Sequence, residues 1–528
     1  MTNRQHRRLK GALAASVAGL LALSLASCSS DAAATPSSGP TGDPVHGGSF
    51  TYLSFNESAG LDPIKMHFGN QSGDTDQGEA IFDTLMYQDT SGRPVMKTAE
   101  SLTSDDGVHW DLTIKKGIAF TDGTPYDAAA VKFNWERMAD PANGAPNAAG
   151  MANVAGLAIK SDLVLSITLS KQYRSFPQTV ARYLSMIGSP TAIKALGKDF
   201  AIKPVGAGPF MVQSWTRDSE LRLVRNPKYW QEGMPYLDSM NIRQVSDEEQ
   251  RLNTFTAGQA DAAMAGPSTP SAKRAADQGA QVFTKPYGGG INMIFNTRVA
   301  PFNDAEARKG VAMALDLGQL NEVISQGTSP APTTMFVDGT PFYEPDVKFL
   351  SAQQNKAQAQ QLFNDYAART GGPVKFKLTS TTVLQQAFEL IQAQLSSYKN
   401  VEVTFQAIQN TALAPALVSH DFQAVSYAAY GDDFEPTLYN QYYSTGKQNW
   451  SGINDPVLDK ALDQGRNTAD PAQRKAAYKT AQERLVALVP DVFVERYEFN
   501  YMFSPKVGGF QAPSSGVQWE KVWLAKNQ

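Results

Sequence analysis

Apolar and polar positions are most regular in the second half of the chain. Val374, Phe376 and Leu378 are separated by lysines, the period-two pattern of a strand with one buried face. Leu384, Phe388, Ile391 and Leu395 then recur at spacings of four, three and four. That spacing draws one apolar stripe down a helix, for which Thr382 is the expected N-cap. Val401, Val403 and Phe405 alternate again. Strand, helix and strand in such close succession predict a βαβ unit and parallel strands. Residues 421–427 read as a further strand, followed by the loop 428–436, Ala-Ala-Tyr-Gly-Asp-Asp-Phe-Glu-Pro. Open α/β sheets hold ligands beyond the carboxyl ends of their strands, so this loop is the first candidate site. Asp470-Pro471 sets an N-cap and a first-turn proline. Ala477, Ala481, Leu485 and Leu488 line one face of the helix that follows, and Pro490 stops it.

The first half is richer in strands, at 49–55, 109–114, 163–169, 209–215 and 220–224, with a helix at 128–139. About 480 residues follow residue 48, too many for one core, which predicts a mixed α/β protein of two or three domains. The N-terminus has a different pattern. Arg4, Arg7, Arg8 and Lys10 precede an apolar segment, 11–26, of signal-peptide length and short of the ~20 residues that span a bilayer. Ala26 and Ser27 lead from it into Cys28, the only cysteine. Leu25-Ala26-Ser27-Cys28 resembles the lipobox of bacterial lipoproteins, in which the cysteine is acylated and becomes the mature N-terminus. Residues 29–48, mostly Ser, Ala, Thr, Pro, Gly and Asp, then read as a flexible tether. Arg7-Arg8 leaves the general and the twin-arginine export routes both open.

Composition narrows the function. A formal charge of −4, from 47 basic and 51 acidic residues, gives no basic stripe for nucleic acid. The five histidines are scattered, so no histidine metal site is expected. Gly-x-Ser-x-Gly, His-Glu-x-x-His and Walker motifs are missing. Ser444-Thr445-Gly446-Lys447 has the end of a phosphate loop, but Gln441 stands where its first glycine belongs. Gly206-Ala207-Gly208-Pro209 starts a dinucleotide fingerprint that Pro209 spoils. No cofactor is expected, and nothing argues for an enzyme.

Several blocks occur in a telling order. Gly60-Leu61-Asp62-Pro63 follows the first strand, and Trp110 to Tyr126 reads Trp-Asp-Leu-Thr-Ile-Lys-Lys-Gly-Ile-Ala-Phe-Thr-Asp-Gly-Thr-Pro-Tyr. Then come Gly206 to Phe210, Arg225-Asn226-Pro227-Lys228-Tyr229-Trp230, Phe295-Asn296-Thr297-Arg298 and Asp432 to Pro436. Together they resemble the extracellular solute-binding proteins of ABC importers, family 5, the peptide- and nickel-binding class. Gly117, Asp122-Gly123 and Pro125 suit turns, and Tyr229 and Trp230 suit a core.

The resemblance implies an α/β, two-lobed periplasmic-binding-protein fold, with an additional subdomain on the first lobe and ligand in the interlobe cleft. Its expected divisions are a lipoprotein signal peptide (1–27) and a lipidated cysteine with tether (28–48). Lobe I takes 49–68, 195–283 and 501–528, its extra subdomain 69–194, and lobe II 284–500. Thr284 to Gly290 carries three glycines and suits a hinge crossing. The implied role is capture of di- or oligopeptides outside the cell for a membrane permease and its ATPase, by a monomer anchored on the extracytoplasmic side through lipid on Cys28. Dipeptide- and oligopeptide-binding members use an aspartate in a Trp-x-x-Asp-x-x-(Glu/Asp)-Pro loop to meet the peptide ammonium. Asp432 matches, but Ala429 replaces the tryptophan, and no arginine lies between Asn410 and Tyr430 to receive a carboxylate. Tyr430, Gly431, Asp433, Phe434, Trp450 and Asn292 are the other expected ligand contacts. A nickel chelate, an oligosaccharide or another small cationic solute stays open as cargo. A lipid-anchored hydrolase or adhesin is the alternative from another class.

Overall fold

The computed structural model describes residues 39–526, except 41, 69–71, 268, 512 and 515. The signal segment, Cys28 and the start of the tether lie outside the described residues.

A ten-stranded mixed sheet runs through this body. Its order is Val401–Ile408, Val374–Thr381, Ala424–Gly431, Gln281–Phe295, Asp491–Phe503, Ala262–Gly266, Ser49–Ser54, Ser239–Gln244, Glu220–Arg225 and Phe210–Thr216. The two central strands have 15 and 13 residues and serve both halves of the sheet. They pair antiparallel, from Gln281 with Phe503 at one end to Ile294 with Asp491 at the other. Between Pro286 and Gly290 the register shifts, so that residues 287–289 stand opposite Tyr497 alone. Glycine makes that bulge possible. φ is 74° at Gly289 and 151° at Gly290, and a Cβ at these positions would sit 2.2 Å from the Ala429 oxygen and 2.0 Å from the Glu495 oxygen.

The predicted βαβ unit forms. Val374–Thr381 and Val401–Ile408 pair in parallel along their whole length, and helix Gln385–Ser396 buries Phe388, Ile391 and Leu395 against them. Truncating one such buried side chain to alanine costs ~2–5 kcal/mol. Thr382 does not cap this helix. Residues Thr382–Leu384 form a 3-10 turn as the chain leaves the strand, and the helix begins after Leu384 with no side-chain cap. Asp470 does cap Pro471–Leu488, accepting from the Gln473 amide at 2.9 Å.

A second, four-stranded antiparallel sheet joins Ala99–Thr103, His109–Ile114, Val164–Leu169 and Val154–Ser161 in that order. Trp110, Leu112, Trp135 and Phe176 share a core there with helix Ala128–Ala139. The Asp122 turn of the Trp110–Tyr126 block closes as expected, with Oδ1 accepting from the Thr124 amide at 2.9 Å. Tyr229 is buried, and its hydroxyl and the Trp230 indole both donate to Asp83 Oδ2, at 2.7 and 2.9 Å. Separate apolar cores lie under the first half of the large sheet, around Phe50, Phe210 and Trp519, and under the second, around Phe295, Phe336 and Phe434.

Candidate functional site

Segment 173–183, which leaves the four-stranded sheet, meets the loop that follows Ala424–Gly431. The meeting is polar and largely closed to solvent. Asp432 faces Lys285 of the central strand, Nζ to Oδ1 at 2.9 Å, and both side chains are buried. Ser514 Oγ donates to its other oxygen at 2.7 Å, and Lys285 Nζ also donates to the Thr90 carbonyl at 2.8 Å. Asp433 accepts from Arg474 Nη2 at 2.7 Å and from Gln178 Nε2 at 3.3 Å. Burial pushes its carboxyl up, and Arg474 opposes that. Glu435 is held bidentate by Arg466, both contacts at 2.7 Å, and accepts from the Tyr173 hydroxyl at 2.9 Å. Burial works against charge on Arg466, but Glu435 outweighs it and keeps the guanidinium above its ordinary value. Arg466 also lies over the Tyr173 and Tyr439 rings.

These contacts revise the expectation for Asp432. Its carboxylate has a lysine and a hydroxyl of this chain on its two oxygens, so a solute ammonium would have to displace them. Phe434 is fully buried, edge-on to Phe336, in the core of the second half. Asn292 is fully buried too and donates to Asp491 Oδ2 at 2.5 Å, beside the Tyr442 hydroxyl at 2.8 Å. Burial pushes the Asp491 carboxyl up to about 6. Trp450 stands near His420, and its carbonyl accepts from Arg298 Nη1 at 3.0 Å.

Two hollows flank the loop. A cleft of about 1040 Å³ on one side has Asp432 and Asp433 in its wall, with Arg93, Asp105, Arg174 and Arg474. A cavity of about 400 Å³ lies on the other side, between residues 149–183 and residues 427–448. Of the expected contacts only Tyr430 lines the second. It stacks on Tyr497, centroids 3.8 Å apart and planes 6° apart, with Tyr287 beside both at the strand bulge. Burial and the Tyr497 neighbour push the Tyr430 phenol well above its ordinary value, so it remains a neutral donor. Gly431, Phe434, Trp450 and Asn292 line neither hollow.

Sequence reasoning missed most of this wall. Tyr173, Tyr183, Tyr439 and Tyr443 border the cavity, as do Lys171, Arg182 and Lys447. Their signal was faint: the tyrosines cluster around 173–183 and 439–443 without a strand or helix period. Thr445, Gly446 and Lys447, the end of the incomplete phosphate loop, also reach it. They follow helix Thr437–Tyr442 instead of opening one, which is not the geometry of a phosphate loop. Among the described residues that line the cavity none is histidine, cysteine or carboxylate, so they offer donors and ring faces, and no paired acid and base.

Residues 93–451 match the family described as bacterial extracellular solute-binding proteins, family 5 Middle. The chain belongs to this family. The solute-binding protein is 26% identical over 460 residues to the glutathione-binding protein GsiB of Escherichia coli K12, with 81% of this chain and 85% of that one covered. GsiB of Shigella flexneri matches to the same extent. Among solved structures it resembles AgaA of A. tumefaciens R10 in complex with agropinic acid, at TM-score 0.75, 23% identity and coverage of 91% and 99%. It also resembles AppA of Bacillus subtilis bound to a nonapeptide (TM-score 0.74, 20% identity, coverage 92% and 100%) and NikA of Brucella suis with Fe(III)-EDTA (0.77, 19%, 90% and 100%). These likenesses establish the two-lobed α/β binding-protein fold. The solute-binding protein is not an enzyme.

Proposed function

We propose that this protein captures a small peptide or peptide-like solute between its lobes, outside the cell, and passes it to the permease and ATPase of an ABC importer. The observation that carries the reading is the cavity of about 400 Å³, walled by two bodies with separate cores. That volume falls in the ordinary range for small-molecule sites, and walls from two bodies allow closure by hinge motion. The lobes run as the sequence divides them: 49–68, 195–283 and 501–528 in lobe I, 69–194 in its subdomain, and 284–500 in lobe II. The strand bulge at 287–289 supports a hinge there. Lipid on Cys28 anchors the protein, and no helix among the described residues is long and apolar enough to cross a membrane.

Asp432 and its neighbours serve this function as a latch. Gln178, Tyr173 and Ser514 reach the 432–435 loop from other parts of the chain, and the loop's acids are matched by cations of the protein itself. A non-peptide solute is the second reading, favoured by Ala429 in the tryptophan's place and by the occupied Asp432. Native mass spectrometry of the full chain purified from its own cells tests both. A co-purifying peptide, unmodified and stoichiometric, is expected; a modified product in excess over protein would end the binding reading, and a non-peptide solute would end the peptide one. Fatty-acid labelling that persists in Cys28→Ser cells would remove the anchor.

A further inference from the structure

We propose that the cleft of about 1040 Å³, on the Asp432 side of the 432–435 loop, is a second binding site. It takes an uncharged, ring-bearing molecule with an oxygen that accepts from the Trp110 indole. This goes beyond the solute reading and does not depend on it, since the cleft and the 400 Å³ cavity share no described lining residue. One part of the lining is the end of the core under the four-stranded sheet. Leu102 and Trp110 come there from the paired strands Ala99–Thr103 and His109–Ile114, and the Trp110 and Phe176 rings lie 5.7 Å apart. Another part is Phe342 with the first turn of helix Pro471–Leu488, where Pro471 and Ala472 stand. A lining of this kind favours an occupant that takes its apolar surface out of water. The Trp110 and Phe342 rings offer faces and edges to a further aromatic ring.

The charged residues of the lining are already matched. Arg474 meets Asp433 at 2.7 Å, Lys285 meets Asp432 at 2.9 Å, and Asp89 meets Arg93 at 3.0 Å. Lys475 lies 3.6 Å from Glu344. Arg174 donates to the Asp105 carbonyl at 2.6 Å, so these two residues of opposite charge stand together. A charged ligand would have to break such a pairing or enter without a counter-ion, so the occupant that fits is neutral. Trp110 is the exception to this satisfied wall. It is 6% exposed, and among the described lining residues its Nε1 is the one buried side-chain nitrogen or oxygen without a hydrogen-bond partner. An indole N–H can only donate. Buried donors are rarely left unpaired, because losing water without gaining an acceptor is costly. A carbonyl, ether or hydroxyl oxygen on the occupant would satisfy this one, which is why the ligand carries an acceptor as well as a ring.

NMR titration of the full chain, isotope-labelled at its tryptophan indoles, tests the proposal; the Trp110 resonance is the one lost in Trp110→Phe. The probe is benzylacetone, which has a ring, one carbonyl and no charge. It is expected to move the Trp110 N–H resonance downfield and saturably, because the donor gains an acceptor. Hydrocinnamate, which is charged, and butylbenzene, which has no acceptor, should each bind roughly 5-fold or more weakly. Trp110→Phe keeps a ring and removes the donor, so its affinity for benzylacetone should fall by a similar factor, roughly 5-fold. Ala472 is exposed in the lining, and Ala472→Trp fills the cleft without entering a core. That variant should abolish the Trp110 shift at an unchanged melting temperature, and it carries the test even if Trp110→Phe lowers stability. Absence of any Trp110 shift with benzylacetone overturns the site. A shift that survives Ala472→Trp places the probe elsewhere and overturns it too. Equal binding of butylbenzene removes Trp110 from recognition, and tighter binding of hydrocinnamate overturns the neutral assignment.

Discussion

The two sides of the 430–436 loop put charge to opposite uses. On one side Asp432, Asp433 and Glu435 each meet a cation of the chain, at 2.9, 2.7 and 2.7 Å, and are buried. On the other, Tyr430 opens onto a cavity where cations gather and no described carboxylate lines the wall. A buried ion pair whose members both belong to the protein adds structure and offers nothing to a solute; removing one member leaves the other stranded at low dielectric. The exposed Lys171 and Lys447 that border the hollow are a different case, since exposed charges add little to folding. Residue type alone does not separate the two sides, since charged and aromatic residues stand on both.

Breaking the first side should have the largest effect. Glu435→Gln leaves Arg466 buried without its bidentate partner, and loss of one member of such a pair costs ~3–5 kcal/mol. Urea unfolding of the ligand-free protein should show that loss; a change below about 1 kcal/mol, the scale of exposed pairs, would mean that Glu435 is not structural. Asp432→Asn should be next, at ~2–4 kcal/mol, because the amide oxygen could still accept from Ser514 while Lys285 would lose its counter-charge. Intact stability with affinity reduced about tenfold or more, roughly 1.4 kcal/mol, would instead return Asp432 to the solute site.

Asp491 sharpens the contrast, since neutral donors hold it: Asn292, Gln441 and Tyr442 all donate to Oδ2. Burial raises its folded carboxyl to about 6, against 3.8 for an unburied aspartate. The native state therefore binds its proton more tightly than the unfolded state does. Stability from this group is greatest below about pH 4, declines as pH rises toward about 6, and is constant above that. About two pKa units correspond to roughly 3 kcal/mol. Asp491→Asn should remove that decline, so the difference between variant and wild-type unfolding free energies should change with pH only in this window. A difference independent of pH between about 4 and 7 would show that Asp491 is ionised and satisfied like the acids of the loop.

The smallest effect on stability belongs to the second side. Lys447→Gln should alter the ligand-free unfolding free energy by no more than ~0.5 kcal/mol, as exposed substitutions do. A melting-temperature loss comparable to that of Asp432→Asn would show that Lys447 is tied into the fold, and the two sides would then be alike.

Local elements of this protein were legible from pattern. Val374, Phe376 and Leu378 reached the core face of a strand, and Phe388, Ile391 and Leu395 the buried stripe of a helix, because the strand and helix periods of about 2 and 3.6 depend only on residue order. Asp470-Pro471 started its helix for the same reason: a cap needs only the next few residues. Thr382 failed where geometry beyond the neighbours intervened, since the chain used 382–384 to turn out of the sheet before the helix began. The loop at 430–436 was recognised, but the use of its acids was not. Lys285 lies 147 residues from Asp432 and Ser514 lies 82 away, and no local period links them. Sequence thus determined strands, helices, the Asp470 cap and the family blocks, all set by near neighbours. Only the tertiary structure decided which charges cancel and which face a cavity, because Coulomb energy and desolvation depend on distance and burial in space. Those quantities are fixed when segment 173–183, the central strand and the 430–448 region come together.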